Sequence, residues 1–332
     1  MRNRFSRVAA SGGAVWVVVT IIGLYAFATS DAFRTTANLT NLSRQMVVLG
    51  LASLAQFVVV LARGVDLSIG ASVRLASIVA AIVMDGSDGK FLFGVLVAVG
   101  VSLAVGAVNG LTVSALNIAP FIATLGTGAV VSGLALYVAR TPTGRSSPWW
   151  EDLYDRTIGP IPVLVVLVGV IGALMWILLV HTRWGRHLYA VGGDPHVARL
   201  SGLRVSRITI SAYLLAGVLA GLAGLVLIGG TGVGDSSAAA ALEFESLAVV
   251  VIGGASLAGG RGRLLGVLGG VVLFSMLGNV FNLLKVEVWY QQLVRGGVIL
   301  VAAALYVQRQ PKPDTGMGPG IVASHRSERI GS

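Results

Sequence analysis

Apolar runs separated by short polar breaks dominate the chain, at 14–28, 46–62, 67–84, 91–116, 121–139, 161–180, 208–228, 244–258, 264–284 and 289–307. A helix of about 20 apolar residues matches the thickness of a bilayer's hydrocarbon core. Lipid offers backbone groups no partners, so spanning segments must bond internally. The pattern predicts an all-α polytopic membrane protein of about ten transmembrane helices. Several runs are shorter than a full span, so one or two are expected to be short, broken or re-entrant.

Composition agrees: 55% of the 332 residues are hydrophobic and 11% charged, with mean hydropathy +0.86. So few charges exclude an ordinary soluble domain. The net charge of +10 gathers in the tails and in loops between runs, a sign of membrane topology rather than of nucleic-acid binding. The segment 181–207 carries Arg183, Arg186, Arg199, Arg204 and Arg207 against a single acid, Asp194. Such an excess places it in the cytoplasm. In 140–159, Arg140, Arg145 and Arg156 are offset by Glu151, Asp152 and Asp155, which suits the outer side, with Trp149, Trp150 and Tyr154 at the membrane interface. Glu243 and Glu245 are expected at the same interface. Counting spans then puts both termini in the cytoplasm: a basic segment 1–13, a membrane domain 14–307, and a Pro-, Gly- and Ser-rich tail 308–332 expected to be disordered. Ala26-Phe27-Ala28 has the form of a signal-peptidase site, but no extracellular domain follows it, so the first run reads as a span.

Several residues carry candidate chemistry. Asp194-Pro195 reads as a helix start, with the carboxylate capping free N–H groups and proline in the first turn. A short helix over about 196–200 should stop near Gly202. The arginines of this compact knob set topology, or, with Val197, Leu200 and Leu203, they form a docking element. Asp66, opening an apolar run, either caps the third span or lies on a polar pathway. Arg74 falls inside that run, where an arginine is paired, snorkelling or functional. Thr124 and Thr127 bond back to their helix or line a pathway. The spacings Gly217-x-x-x-Gly221 and Gly266-x-x-x-Gly270 allow close helix approach.

W-G-R-x-x-Y-A-V-G-G-D-P-x-x-A-R-L-S-G-L at 184–203 resembles the ATPase-coupling loop of the permease subunits of monosaccharide-type bacterial ABC importers, the ribose, xylose and arabinose transporters. G-x-D-L-S-x-G at 64–70 is similar to that family's G-I-D-L-S-V-G, although Arg63 stands where the family usually has glycine. Asn109-Gly110 followed by P-F-I-A-T-L-G-T at 120–127, F-E-S-L-A-V-V-V-I-G-G-A-S-L-A-G-G-R-G at 244–262, and W-Y-Q-Q-x-x-R-G at 289–296 are also familial. Arg74 departs from the family, which usually has a small residue there.

The resemblance implies a permease subunit in the bacterial cytoplasmic (inner) membrane, surrounded by lipid. It moves a small sugar inward by alternating access, working with a second copy or a paralogue, a cytoplasmic ABC ATPase and a solute-binding protein at the outer face. It implies an ATPase-coupling loop with Gly185, Gly192, Gly193, Asp194, Pro195, Ala198, Arg199, Ser201 and Gly202 as candidates. Asp66, Ser68, Arg74, Asn109, Thr124, Thr127, Gly253 and Gly254 are the candidates for the translocation pathway. ATP and Mg would be bound by the partner ATPase, since the chain has no phosphate-loop motif, and no catalytic or metal-binding residues of its own are expected. Other cargo, an amino acid or an acidic sugar derivative that Arg74 could recognise, stays open. So does an ion-coupled secondary transporter built on Asp66 and Arg74.

Overall fold

The computed structural model describes residues 13–287, 289–291, 293–294 and 296–297. The tail 308–332, nearly all of the basic segment 1–13 and much of the expected last span lie outside the described residues. The chain is an all-α membrane protein, and among the described residues the one small sheet is a hairpin of β1 (Thr157–Ile158) and β2 (Ile161–Pro162). Its helices are α1 (Gly13–Thr29), α2 (Thr36–Leu61), α3 (Ile69–Met84), α4 (Phe91–Ala115), α5 (Pro120–Val138), α6 (Pro148–Asp155), α7 (Val163–His181), α8 (Arg183–Gly193), α9 (Pro195–Leu200), α10 (Val205–Thr231), α11 (Leu242–Ile252) and α12 (Leu264–Leu283).

Among the described residues, six helices are long and apolar enough to cross a membrane: α2, α4 with the turn before it, α5, α7, α10 and α12. The runs 14–28 and 67–84 form the shorter helices α1 and α3. At 1.5 Å per residue, the 16-residue α3 is about 24 Å long. The run 244–258 stays helical only to Ile252 and then breaks into turns, with Gly254 at φ +86° and Gly259 at φ +85°. At 11 residues, α11 covers about half a bilayer.

Buried helices α2 and α10 form the centre, while α4, α5 and α7 expose most of their apolar side chains. Leu96, Val130 and Leu174 are between 59% and 64% exposed, as expected of surfaces that meet lipid or another membrane chain. Glycines set the tightest seam. A Cβ at Gly217 would lie 2.5 Å from the Ser102 carbonyl oxygen, and one at Gly106 would lie 2.4 Å from that of Tyr213. Thus α4 and α10 touch backbone to backbone. Gly270 approaches the Val249 carbonyl in the same way, and Gly253 approaches Gly266, which seats short α11 on α12. Both predicted glycine spacings therefore serve packing within one chain.

Loops cluster at two opposite ends. At one, the Gly260 N–H donates to the Leu61 carbonyl at 3.1 Å and the Tyr189 hydroxyl to the Gly262 carbonyl at 3.1 Å. At the other, Thr143 and Gly234 exchange backbone bonds of 2.9 and 3.0 Å, and the Gly86 N–H donates to the Arg145 carbonyl. The Asp88 carboxylate there accepts from the Ser147 hydroxyl and the Trp149 N–H. Trp150 is 7% exposed and its indole N–H donates to the Leu225 carbonyl at 2.7 Å. It pins α6 over the bundle, whereas Trp149 stays half exposed, so only one of the pair suits an interface.

Candidate functional site

The basic segment 181–207 folds as two short helices. Thr182 opens α8 by accepting from the Gly185 N–H. Gly185, Leu188, Val191 and Gly192 then face inward, a three- and four-residue spacing that makes one helix face. The Trp184 indole donates to the Ser211 hydroxyl, tying α8 to α10. Asp194 caps α9 as its sequence predicts, accepting from the His196 and Val197 N–H groups at 2.8 and 3.0 Å. These bonds, that from Val197 first, hold its carboxyl below the usual carboxylate range. The helix runs from Pro195 to Leu200, and Gly202 follows at φ +81°.

A depressed carboxylate contributes stability above its unfolded pKa and loses it as pH falls through the lower folded value. The knob should therefore stay capped through neutral pH and loosen only in strong acid. In Asp194→Ala the loosening should be present at every pH, with Asp194→Asn intermediate. Limited proteolysis at Arg199 and Arg204 measures it.

At the joint between knob and bundle, a Cβ on Gly192 would fall 1.8 Å from the Leu61 carbonyl oxygen and 2.6 Å from the Gly260 nitrogen. Gly185 is as tight, 2.1 Å from the Leu179 carbonyl oxygen. Arg63 stands beside this joint with φ +67°, a conformation that glycine adopts without strain. That is the position where the resembling family carries glycine. The exposed face consists of Gly193, Asp194, Val197, Arg199, Leu200, Ser201 and Gly202, with Pro195 half-buried. Val197 and Leu200 are 56% and 76% exposed. Of the predicted coupling residues, Gly185, Gly192 and Ala198 are buried and brace the knob from within.

A second constellation lies between the α2–α3 loop, α4 and α5. The Asp66 carboxylate accepts from the Ser68 N–H at 2.8 Å, the Ser68 hydroxyl at 2.6 Å and the Asn109 amide at 3.4 Å. The Asn109 amide also donates to the Ser68 hydroxyl at 2.8 Å. The Thr124 hydroxyl accepts from the Leu67 N–H and lies within donating reach of the Pro120 and Val65 carbonyls. All four side chains are at most 3% exposed. Tyr213, which the sequence does not single out, joins them. It is fully buried, and its hydroxyl would meet a Cβ on Gly64 at 2.6 Å. Asp66 thus organises the turn before α3 through one backbone bond, while Ser68 occupies the cap position. Thr127 lies apart, bonding back to the Ala123 carbonyl.

Glu243 lies deeper than its sequence suggests, near Arg74 on α3, while Glu245 borders a cavity at the end opposite the knob. After α10 the chain doubles back, so that Glu243 lies against Gly70 in the first turn of α3, with one carboxylate oxygen buried and without a hydrogen-bond partner among the described residues. Arg74, one turn further along α3, donates to the Ala238 carbonyl at 3.1 Å. The interrupted chain before α11 carries Glu243 inward. A signal existed in the sequence, since the run there is too short to span a bilayer. Gly253 is buried at the α11–α12 seam, and Gly254 is exposed in the turn beyond.

At the loop-rich end opposite the knob is a cavity of about 770 Å³ bordered by Asn41, Arg44, Gln45, Glu151, Tyr154 and Glu245. Arg44 reaches the Asp155 carboxylate at 3.0 Å, and its guanidinium sits 5.1 Å from the centre of the Tyr154 ring.

The chain is 35% identical over 297 residues to the ribose import permease protein RbsC of Bacillus subtilis, covering 88% of this chain and 90% of that protein. It is 34% identical to the D-allose transport system permease protein AlsC of Escherichia coli K12, with the same coverage. It is 31% identical to the fructose import permease protein FrcC of Rhizobium meliloti, over 89% of this chain and 85% of that one. No solved structure matches. The family model described as branched-chain amino acid transport system / permease component matches residues 38–303. With most of its length matched in this way, the chain belongs to that family of transport-system permease components.

Proposed function

We propose that this chain is the membrane permease subunit of an ABC importer that carries a small sugar into the cell, placed in the bacterial inner membrane with about ten spans, both termini and the α8–α9 knob in the cytoplasm. The observation that carries the proposal is the knob itself, an exposed apolar and basic surface fixed to the bundle by backbone contacts at Gly192. The sugar reading is supported by relatives named for ribose, D-allose and fructose import. ATP and Mg belong to a separate ATPase docked on Gly193, Asp194, Pro195, Arg199, Ser201 and Gly202. A solute-binding protein delivers cargo at the opposite end, and a second copy or a paralogue completes the pore.

The mechanism follows from stiffness. When the ATPase dimer closes, it displaces the knob. The joint at Leu61, Gly192 and Gly260 cannot absorb that displacement, because backbone already touches backbone there. The motion passes to α2 and to the turn between α11 and α12, and the bundle changes the end to which it opens. Asp66, Ser68, Asn109 and Thr124 hold the α2–α3 turn rigid on α4 and α5, so that α3 moves with them. Arg74 and Glu243, beside the chain that doubles back before α11, are the pathway's charged groups.

The proposal is tested at Gly193, which is exposed and whose Cβ would meet nothing within 4 Å, although its backbone packs against Gly260. In Gly193→Trp and Arg199→Ala, the chain should reach the membrane at normal levels while ATP-driven uptake falls roughly tenfold or more, the loss of about 1.4 kcal/mol or more of docking. Full uptake in both variants would exclude this face as the docking surface.

A further inference from the structure

Helix α2 ends in a tight reversal at the joint with the knob. The Gly64 N–H donates to the Val59 carbonyl at 2.9 Å and the Arg63 N–H to that of Val60 at 3.0 Å. This pair of bonds closes a helix through one residue in the left-handed conformation, most often glycine. Here that residue is Arg63, at φ +67°. An L side chain crowds the following carbonyl in that conformation and glycine does not. The helix would stop with less strain at glycine, so the stop does not account for the arginine.

Membrane topology does not account for it either. A charge that only marks the cytoplasmic side works anywhere in a short loop, and the turn beside it already carries Arg261 and Arg263. Burial is no reason, because Arg63 is exposed while its Cα and Cβ press on Gly259. Among the described residues its guanidinium has neither a hydrogen bond nor an ion pair. Asp194, the single acid of the knob segment, feels its charge after the stronger hold of the Val197 and His196 N–H groups. Arg63 thus stands at the edge of the knob's exposed face, and Arg261 is exposed in the turn that packs on it. Backbone strain that local structure does not need points to a function for the side chain.

We propose that Arg63, with Arg261, extends the docking surface from the knob onto the end of the bundle, where it meets an acidic side chain of the ATPase. The close joint at Gly192 and Gly260 fixes this charge relative to the knob, so both contacts are made together. An ATPase that accepts the knob but lacks the acid binds less well. The inference rests on the importer reading and deepens it by naming a residue that decides which ATPase is accepted.

The unaltered chain, Arg63→Gly, Arg63→Lys and the double variant Arg63→Gly with Arg261→Gln are placed, as full chains, in phosphatidylcholine nanodiscs. The P-loop ATPase that accompanies the unaltered chain is purified and titrated onto each over a range of salt concentrations. Glycine is unstrained at this backbone position, which safeguards folding of Arg63→Gly. That variant should bind roughly threefold more weakly at low salt, as expected for one exposed charge pair, and should show a flatter dependence of Kd on salt. Arg63→Lys should keep most of both, and the double variant should bind roughly tenfold more weakly.

Equal affinity and equal salt dependence in Arg63→Gly would overturn the proposal. So would weaker binding that lysine does not restore or that persists at high salt, since that marks a change of backbone rather than of charge. A difference present with phosphatidylglycerol in the disc and absent with phosphatidylcholine would give the arginine to lipid headgroups and overturn it too. Failure of any ATPase to bind the unaltered chain is a separate result, and it would overturn the importer reading itself.

Discussion

Replacing Gly192 with valine should abolish ATP-driven transport while leaving most of the membrane bundle folded. The added Cβ alone would sit 1.8 Å from the carbonyl oxygen of Leu61, the last residue of α2, and that carbonyl is already held by the Gly260 N–H at 3.1 Å. Relief must come from α8 lifting off the bundle. That motion breaks the Gly260–Leu61 backbone bond and exposes Leu188 and Val191, both at most 1% exposed. Uncovering two such side chains costs about 3–6 kcal/mol of the knob's attachment, and the knob lifts in spite of that cost because a Cβ 1.8 Å from an oxygen cannot be held in place. The expected result is normal insertion, rapid proteolysis of 181–207 and uptake at background. Gly193→Val, one position on, provides the control, because its Cβ would meet nothing within 4 Å. Equal proteolysis of the two variants would contradict the joint.

The second large effect lies in the bundle. Gly217→Leu should prevent accumulation of folded chain altogether. Its Cβ would fall 2.5 Å from the Ser102 carbonyl oxygen and 3.0 Å from the Leu103 Cα. Helices α4 and α10 would have to separate along a seam that also holds Gly106 and Gly221. Overpacking a dense core costs about 1–3 kcal/mol even where side chains can adjust, and here the contacts are with backbone. Detergent-extracted protein should be aggregated on size exclusion. Gly100→Leu, whose Cβ would meet nothing within 4 Å on the same α4, should remain monodisperse.

Local chemistry was the most legible part of this protein. The Asp194 cap, the short helix after Pro195 and the stop at Gly202 depend on neighbours within a few residues, and each stands where the sequence places it. The glycine spacings at 217–221 and 266–270 announced close packing, although the facing partners, Ser102 and Val249, could not be read from them. The legible signals failed where the third dimension decides. Gly185, Gly192 and Ala198 belong to the same motif as Gly193 and Arg199, yet they lie against the bundle, because opposite faces of short helices look alike in a one-dimensional pattern. Glu243 reads as an interfacial acid until the chain before α11 is seen to double back against Gly70. Tyr213 sits in an unremarkable apolar run, and only packing brings its hydroxyl near Gly64 and Asp66.

The knob couples this permease to an ATPase. The measurement that tests it most directly is affinity capture of the tagged chain from its native membranes in mild detergent, with mass spectrometry of the proteins that accompany it. A P-loop ATPase should be retained by the unaltered chain and lost from Gly193→Trp. A chain that comes down alone, and stays alone after crosslinking, would contradict it.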